Sequence, residues 1–161
     1  MSYVRAPGTV LVLKKFIKIF YLLPTKKKNK EYGIDFVKTQ DVGYHGNLFG
    51  GVMLAWLDEA AAAFAAQAAD TPRMVTKHIA GLTFEKPVRP GQIIKIYGEV
   101  DKVGKTSLTL NMEARRHSVY NGTQKSVVST QMTFVRIDGD GEAIPISERV
   151  RLKYRDPKDF T

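Results

Sequence analysis

The run His45-Gly46-Asn47-Leu48-Phe49-Gly50-Gly51 leads straight into an alanine-rich segment that carries the acid pair Asp58-Glu59. Glycines at a loop-to-helix junction leave backbone N–H groups bare at the positive end of the helix dipole. Such a site can hold an anion or stabilise a developing oxyanion; the same glycines also serve a simple turn. Asp58 falls about two turns into the helix, among Ala55, Trp56, Leu57, Ala61 and Ala62. A carboxylate on a mostly apolar helix is costly unless it is hydrogen-bonded or paired. Two readings therefore stand: a base or nucleophile facing a polar cavity, or a structural acid tied to backbone or a lysine. Glu59 points about 100° further round the helix, so the two acids cannot address one reacting atom together.

These residues need a scaffold, and the chain supplies one in order. Tyr32 to Val37 reads as a first strand, and Asp41 to Asn47 as a loop dense in turn formers. The composition predicts a helix over about 50–69, apolar nearly all round and thus buried on most sides. Four strands follow: Met74 to Phe84, Gln92 to Val103, Thr106 to His117 and Lys125 to Asp138, with a hairpin signal at Asn121-Gly122. Asp138-Gly139-Asp140-Gly141 reads as a turn, being too short for a calcium loop. The charged tail from Ser147 is expected to fray or pack loosely. One long helix followed by strands is an α+β pattern, an antiparallel sheet wrapped around a helix. Exposed edge strands in such a sheet favour pairing between subunits.

Composition excludes several chemistries. With no cysteine among 161 residues there is no disulfide, thiolate metal site or cysteine nucleophile. His45, His78 and His117 are scattered without metal-ligand spacing, so neither metal nor cofactor is expected. The net charge of +9 is unevenly placed, since residues 1–30 hold eight basic residues and no acid. Setting these aside leaves 17 basic and 16 acidic residues, which removes most of the support for a nucleic-acid face. Leu11 to Leu23 has the spacing of an amphipathic helix, stopped by Pro24 and followed by a lysine run. We read residues 1–30 as a basic extension in preference to a membrane-surface segment, residues 31–146 as the domain and 147–161 as a tail.

The glycine loop with Ala55-Trp56-Leu57-Asp58-Glu59-Ala60 resembles the signature of the YciA-like acyl-CoA thioesterases of the hot-dog fold. Leu82-Thr83-Phe84-Glu85-Lys86-Pro87-Val88-Arg89-Pro90-Gly91 is similar to that family's following strand and turn, and Gly104-Lys105-Thr106-Ser107 to its hairpin. The likeness runs over about residues 32–146. It implies a sheet wrapped around a central helix, homodimers as the minimum unit that assemble into tetramers or hexamers, and active sites at the dimer interface. The implied reaction is hydrolysis of acyl-CoA to free acid and CoA in the cytoplasm, with Asp58 as base or nucleophile and N–H groups near Gly50 and Gly51 as oxyanion donors. Coenzyme A is then part of the substrate and no separate cofactor is needed.

In one respect the sequence departs from the family pattern. Relatives carry an asparagine where this chain has Gly43, leaving Asn47 or His45 to supply the polar contact. A basic rim for the CoA phosphates is expected from Lys105, Arg115 and Arg116 with Thr106 and Ser107, with Thr83 beside the site and Lys86 and Arg89 as further cations. A non-catalytic acyl-CoA-binding module and a hot-dog dehydratase are the competing readings. The dehydratase calls for a histidine–carboxylate pair that the sequence does not display.

Overall fold

The computed structural model describes residues 29–154. Strand β1 (Lys30–Phe36) is followed by a short 3-10 turn (Thr39–Asp41) and by the 20-residue helix α1 (Gly50–Ala69). Then come β2 (Met74–Ile79), β3 (Thr83–Phe84), β4 (Ile93–Val103), β5 (Ser107–His117), β6 (Gln124–Arg136) and the short helix α2 (Glu148–Lys153). The sheet runs in the order β1-β4-β5-β6-β2, with β3 also on β6, and every pairing is antiparallel.

Alternation explains the inner face. Ile94, Ile96 and Val100 on β4, Leu108, Leu110, Met112 and Ala114 on β5, and Val128, Met132 and Phe134 on β6 are all buried. They pack on α1 through Met53, Leu57, Ala60, Ala61, Phe64, Ala65 and Ala68, which recur at helical spacing. Close approach of helix and sheet depends on Gly98, where a Cβ would lie 2.8 Å from both the Phe64 ring and the Met112 sulfur. The Tyr32 ring stacks on Phe64 with centroids 3.9 Å apart, sealing the helix against β1.

The helix boundaries agree with the sequence reading, and its burial differs in one respect. Gly51, Ala55, Glu59, Ala63 and Gln67 form an exposed stripe at four-residue spacing. Ile34, Phe36 and Val75 on the two edge strands are likewise exposed. A single chain therefore covers only part of a helix whose composition asks for more.

Three further differences have physical causes. The run 74–84 divides into two strands because Ala80-Gly81-Leu82 leaves the ladder, although the Ala80 N–H still donates to Gln131 O at 2.8 Å. Lys30 pairs with Gly98, so the sheet begins inside the stretch assigned to the basic extension. The segment Leu11–Leu23 lies outside the described residues. The described part of the tail, Ser147 to Tyr154, expected to be loose, forms α2 instead. Ser147 caps it by accepting from the Val150 N–H, Ile146 and Val150 are buried, and Arg149 pairs with Asp70. The turn at Asp138 is as expected, its Oδ1 accepting from the Asp140 and Glu142 N–H groups.

Candidate functional site

The loop before α1 is built by backbone hydrogen bonds. Gly43 N–H donates to Asn47 O at 2.8 Å, Leu48 N–H to Val88 O at 2.7 Å, and Phe49 N–H to Asp41 O at 2.8 Å. Asp41 is itself buried, and its Oδ2 accepts from the Lys38 N–H. Gly46 takes φ of 72°, where glycine carries no penalty. The chain thus enters α1 at Phe49 in extended geometry, and the Val52 and Met53 N–H groups turn back to Phe49 O.

The Gly50 and Gly51 N–H groups, one step earlier, donate to no protein acceptor among the described residues. They are two of the donors that every helix start leaves open. Gly50 lines a cleft of about 290 Å³ together with Asn47, Met53, Phe84, Lys86 and Val88. The Phe84 ring stands over Gly50 and the Phe49 ring over Gly51, where added Cβ atoms would meet them at 3.2 and 2.7 Å. An anion or a polarised carbonyl oxygen could sit at this helix end between aromatic walls.

Asp58 lies elsewhere on the same helix. It is partly buried, and its Oδ1 accepts a 2.8 Å hydrogen bond from Thr76 Oγ1 on the edge strand β2. Eight residues separate it from Gly50, about 12 Å along the helix axis. Within one chain, the carboxylate and the open N–H groups cannot reach the same reacting atom. Glu59 is exposed on the other side of the helix. Burial, and then the charge of Glu59, push the nearby Asp35 carboxyl above its ordinary value.

The other residues singled out from the sequence divide between places. Asn47 lines the Gly50 cleft, whereas His45 is exposed and meets only the edge of the Tyr44 ring at 5.1 Å. Thr83 is exposed on β3 beside Phe84. Lys105, Thr106 and Ser107 form the β4–β5 hairpin, where the Thr106 and Lys105 carbonyls accept from Arg136 and Ile146 N–H groups. Arg115 faces the outer side of the sheet, paired with Glu113 and lying 4.5 Å above the Tyr97 ring. Against the cost of burial, hydrogen bonds from Arg115 and Ser126 hold Glu113 below the usual carboxylate range. Among the described residues no histidine is hydrogen-bonded to a carboxylate. Thr76 and Phe84 escaped the sequence reading as site residues. Thr76 is a strand threonine like any other until the fold sets it against Asp58.

Comparison with known proteins decides the family. The thioesterase superfamily profile matches residues 45–122. An acyl-CoA thioester hydrolase of Buchnera aphidicola, itself uncharacterised, is 33% identical over 132 residues, covering 75% of this chain and 97% of that protein. The chain belongs to the thioesterase superfamily. The likeness extends to solved structures. A hexameric hot-dog thioesterase of Campylobacter jejuni superposes with a TM-score of 0.69 at 30% identity, over 78% of this chain and 96% of that one. A hexameric broad-specificity acyl-coenzyme A thioesterase, solved as a variant with one aspartate replaced by alanine, gives a TM-score of 0.72 at 25% identity over 78% and 94%. The hot-dog thioesterase described here shares their architecture of one long helix within an antiparallel sheet. Among its described residues no helix is long and apolar enough to cross a membrane.

Proposed function

We propose that this thioesterase hydrolyses acyl-CoA to a free acid and CoA, at a site shared between two subunits. The observation that carries this reading is the separation of Asp58, held by Thr76, from the open Gly50 and Gly51 N–H groups on one helix. A two-fold axis that sets two such helices antiparallel brings Asp58 of one subunit to Gly50 of its mate, twice per dimer. The exposed helix stripe and the apolar residues on both edge strands supply surface for that pairing.

In this arrangement the thioester carbonyl oxygen points at the helix N-terminus, where the Gly50 and Gly51 N–H groups stabilise the negative charge that develops on it. Asp58 of the other subunit takes a proton from water as the water oxygen bonds to the carbonyl carbon. Collapse of the tetrahedral intermediate breaks the carbon–sulfur bond, and the sulfur leaves with the proton that Asp58 took from water. Thr76 holds one carboxylate oxygen, so the other is free to face the water. The hexameric state of the relatives points to three such dimers, with the domain spanning at least Lys30 to Tyr154.

Release of free thiol from a panel of acyl-CoA esters tests the reading. Steady turnover with at least one chain length is the expected result. Binding of acyl-CoA with no thiol release would replace the enzyme with a carrier.

A further inference from the structure

Strand β4 is longer than the neighbour that covers one of its edges. Of its 11 residues, Ile93 to Gly98 pair with β1, which begins at Lys30 opposite Gly98. From Glu99 to Val103 that edge has no partner strand among the described residues, whereas β5 pairs the other edge as far as Val103. An open edge of this kind is a template for further pairing.

The chain's own continuation starts at this edge. Read back from Lys30, the sequence runs Asn29-Lys28-Lys27-Lys26-Thr25-Pro24. The ladder sets Glu31 opposite Tyr97 and Lys30 opposite Gly98. Carried on one for one, it sets Asn29 opposite Glu99, Lys28 opposite Val100 and Lys27 opposite Asp101. The five residues 25–29 match the five of the open edge, and Pro24, with no N–H to give a ladder, falls just past its end.

The pleat decides which charges meet. Glu31 projects on the outer face of the sheet, where its carboxylate accepts from Lys95 Nζ and Tyr97 Oη. Opposite residues share a face and alternate ones return to it, so Asn29 and Lys27 belong to that face with Glu99 and Asp101. Asn29 already lines an outer cleft of about 360 Å³ with Glu99, Asn111, Glu113 and Ser129. Asp101 accepts there from the Asn111 and Gln131 amides at 3.3 Å each, and among the described residues Glu99 forms no ion pair. Lys26 would stand opposite Lys102, so the electrostatic gain is concentrated at Lys27. The other end of the chain is a poorer match, since residues 155–161 carry two basic and two acidic side chains that cancel.

We propose that residues 27–29 extend β1 along the open edge of β4, with the Lys27 ammonium between the carboxylates of Asp101 and Glu99. The basic extension is thereby fastened to the outer face of the sheet, away from α1 and independently of any substrate.

The protein has no cysteine, so an engineered disulfide reports the register without background. Directly opposite residues have Cβ atoms about 4.5–5.5 Å apart, within reach of a bridge after a small adjustment. Full-length protein carrying Lys27→Cys with Asp101→Cys is oxidised and its cross-links are located by peptide mass. A bridge within one chain is expected, with about tenfold lower yield from Lys27→Cys with Lys102→Cys, whose side chains leave on opposite faces. A bridge between two chains would give the edge to a second copy and overturn the proposal, as would equal yields from the two pairs. Hydrogen exchange on the cysteine-free protein is the second arm. Amides of Glu99 to Val103 that do not serve β5 should exchange about tenfold faster in Lys27→Glu than in the wild type. Lys14→Glu makes the same charge change outside this ladder and should leave their exchange as it is. Equal exchange in the wild type and Lys27→Glu, or equal acceleration by both variants, overturns the proposal whether or not a bridge forms.

Discussion

Thr76 Oγ1 donates a 2.8 Å hydrogen bond to Oδ1 of Asp58, tying the edge strand β2 to the central helix at the acid proposed for catalysis. The hydroxyl leaves one carboxylate oxygen committed and the other free. Thr76→Val keeps the branched shape and removes the donor. A hydrogen bond to a charged group is worth about 1.5–3 kcal/mol, so kcat should fall about tenfold or more, with little change in KM. Thr76→Ser should keep most of the rate. Equal activity in the valine variant would show that the threonine only packs.

The Gly50 N–H can be deleted without disturbing its helix. Position 50 is the first helical residue, Phe49 before it is extended at φ −67° and ψ 131°, and both geometries suit proline at 50. The half-exposed Phe84 ring must yield slightly to the new ring, since a Cβ already lies 3.2 Å from it. Gly50→Pro is expected to lose about 100- to 1,000-fold in kcat if this N–H serves the oxyanion. Co-expressed with Asp58→Asn, it should recover roughly a quarter of wild-type activity, because each mixed dimer holds one site with both intact parts. No recovery would place the two groups in separate sites.

Much of this was legible in the sequence, and the omissions share a cause. The glycine loop, the limits of α1 and the hairpin strands are local: turn residues, alanine content and alternation specify them within a dozen positions. The Thr76–Asp58 contact joins residues 18 apart across two elements, and no period reveals it. The start of the tail was legible only in the fold, because Val150 is a single apolar residue between Arg149 and Arg151 and nothing local shows that it is buried beside the core. Arg115 and Arg116 are neighbours in a run of basic residues, yet the pleat sends them to opposite faces of the sheet. Arg115 meets Glu113 on one face and Arg116 lines a cleft on the other.

The family resemblance implies an asparagine where this chain has Gly43, and the loop has room for one. The Gly43 φ is outside the positive region. A Cβ there would touch the Phe49 ring at 3.5 Å, Phe49 Cβ at 3.7 Å and Asn47 O at 3.9 Å, all ordinary contacts. Gly43→Asn should therefore fold normally and raise kcat by supplying an amide near the helix entrance. Steady-state assays of the folded variant check this. An unchanged or lower kcat would mean that water is positioned by other groups.

Tyr32 gives a pH test of the helix-to-sheet seal. Burial, and then Tyr154 nearby, push its hydroxyl from 10.0 up to about 12. The folded state then holds this proton more tightly than the unfolded chain does. The contribution is whole below pH 10 and is lost as pH rises through about 12. In denaturant titrations across that window, the wild type should lose stability more steeply than Tyr32→Phe. Identical slopes would show that the ring is not sealed against Phe64 as described.

The central claim is that Asp58, and not Glu59, is the acid that hydrolyses the thioester. Asp58→Asn is nearly isosteric and removes a charge from a partly buried position, so the helix and the oligomer should survive. General-base catalysis is typically worth about 100- to 10,000-fold, and a loss of that size is expected. Glu59→Gln, altered on the exposed stripe, should keep most of its rate. The decisive measurement is kcat for the two variants side by side, with assembly size checked for both. A dead Asp58→Asn beside an active Glu59→Gln is the predicted result; an active Asp58→Asn, or a dead Glu59→Gln of correct size, would contradict the account.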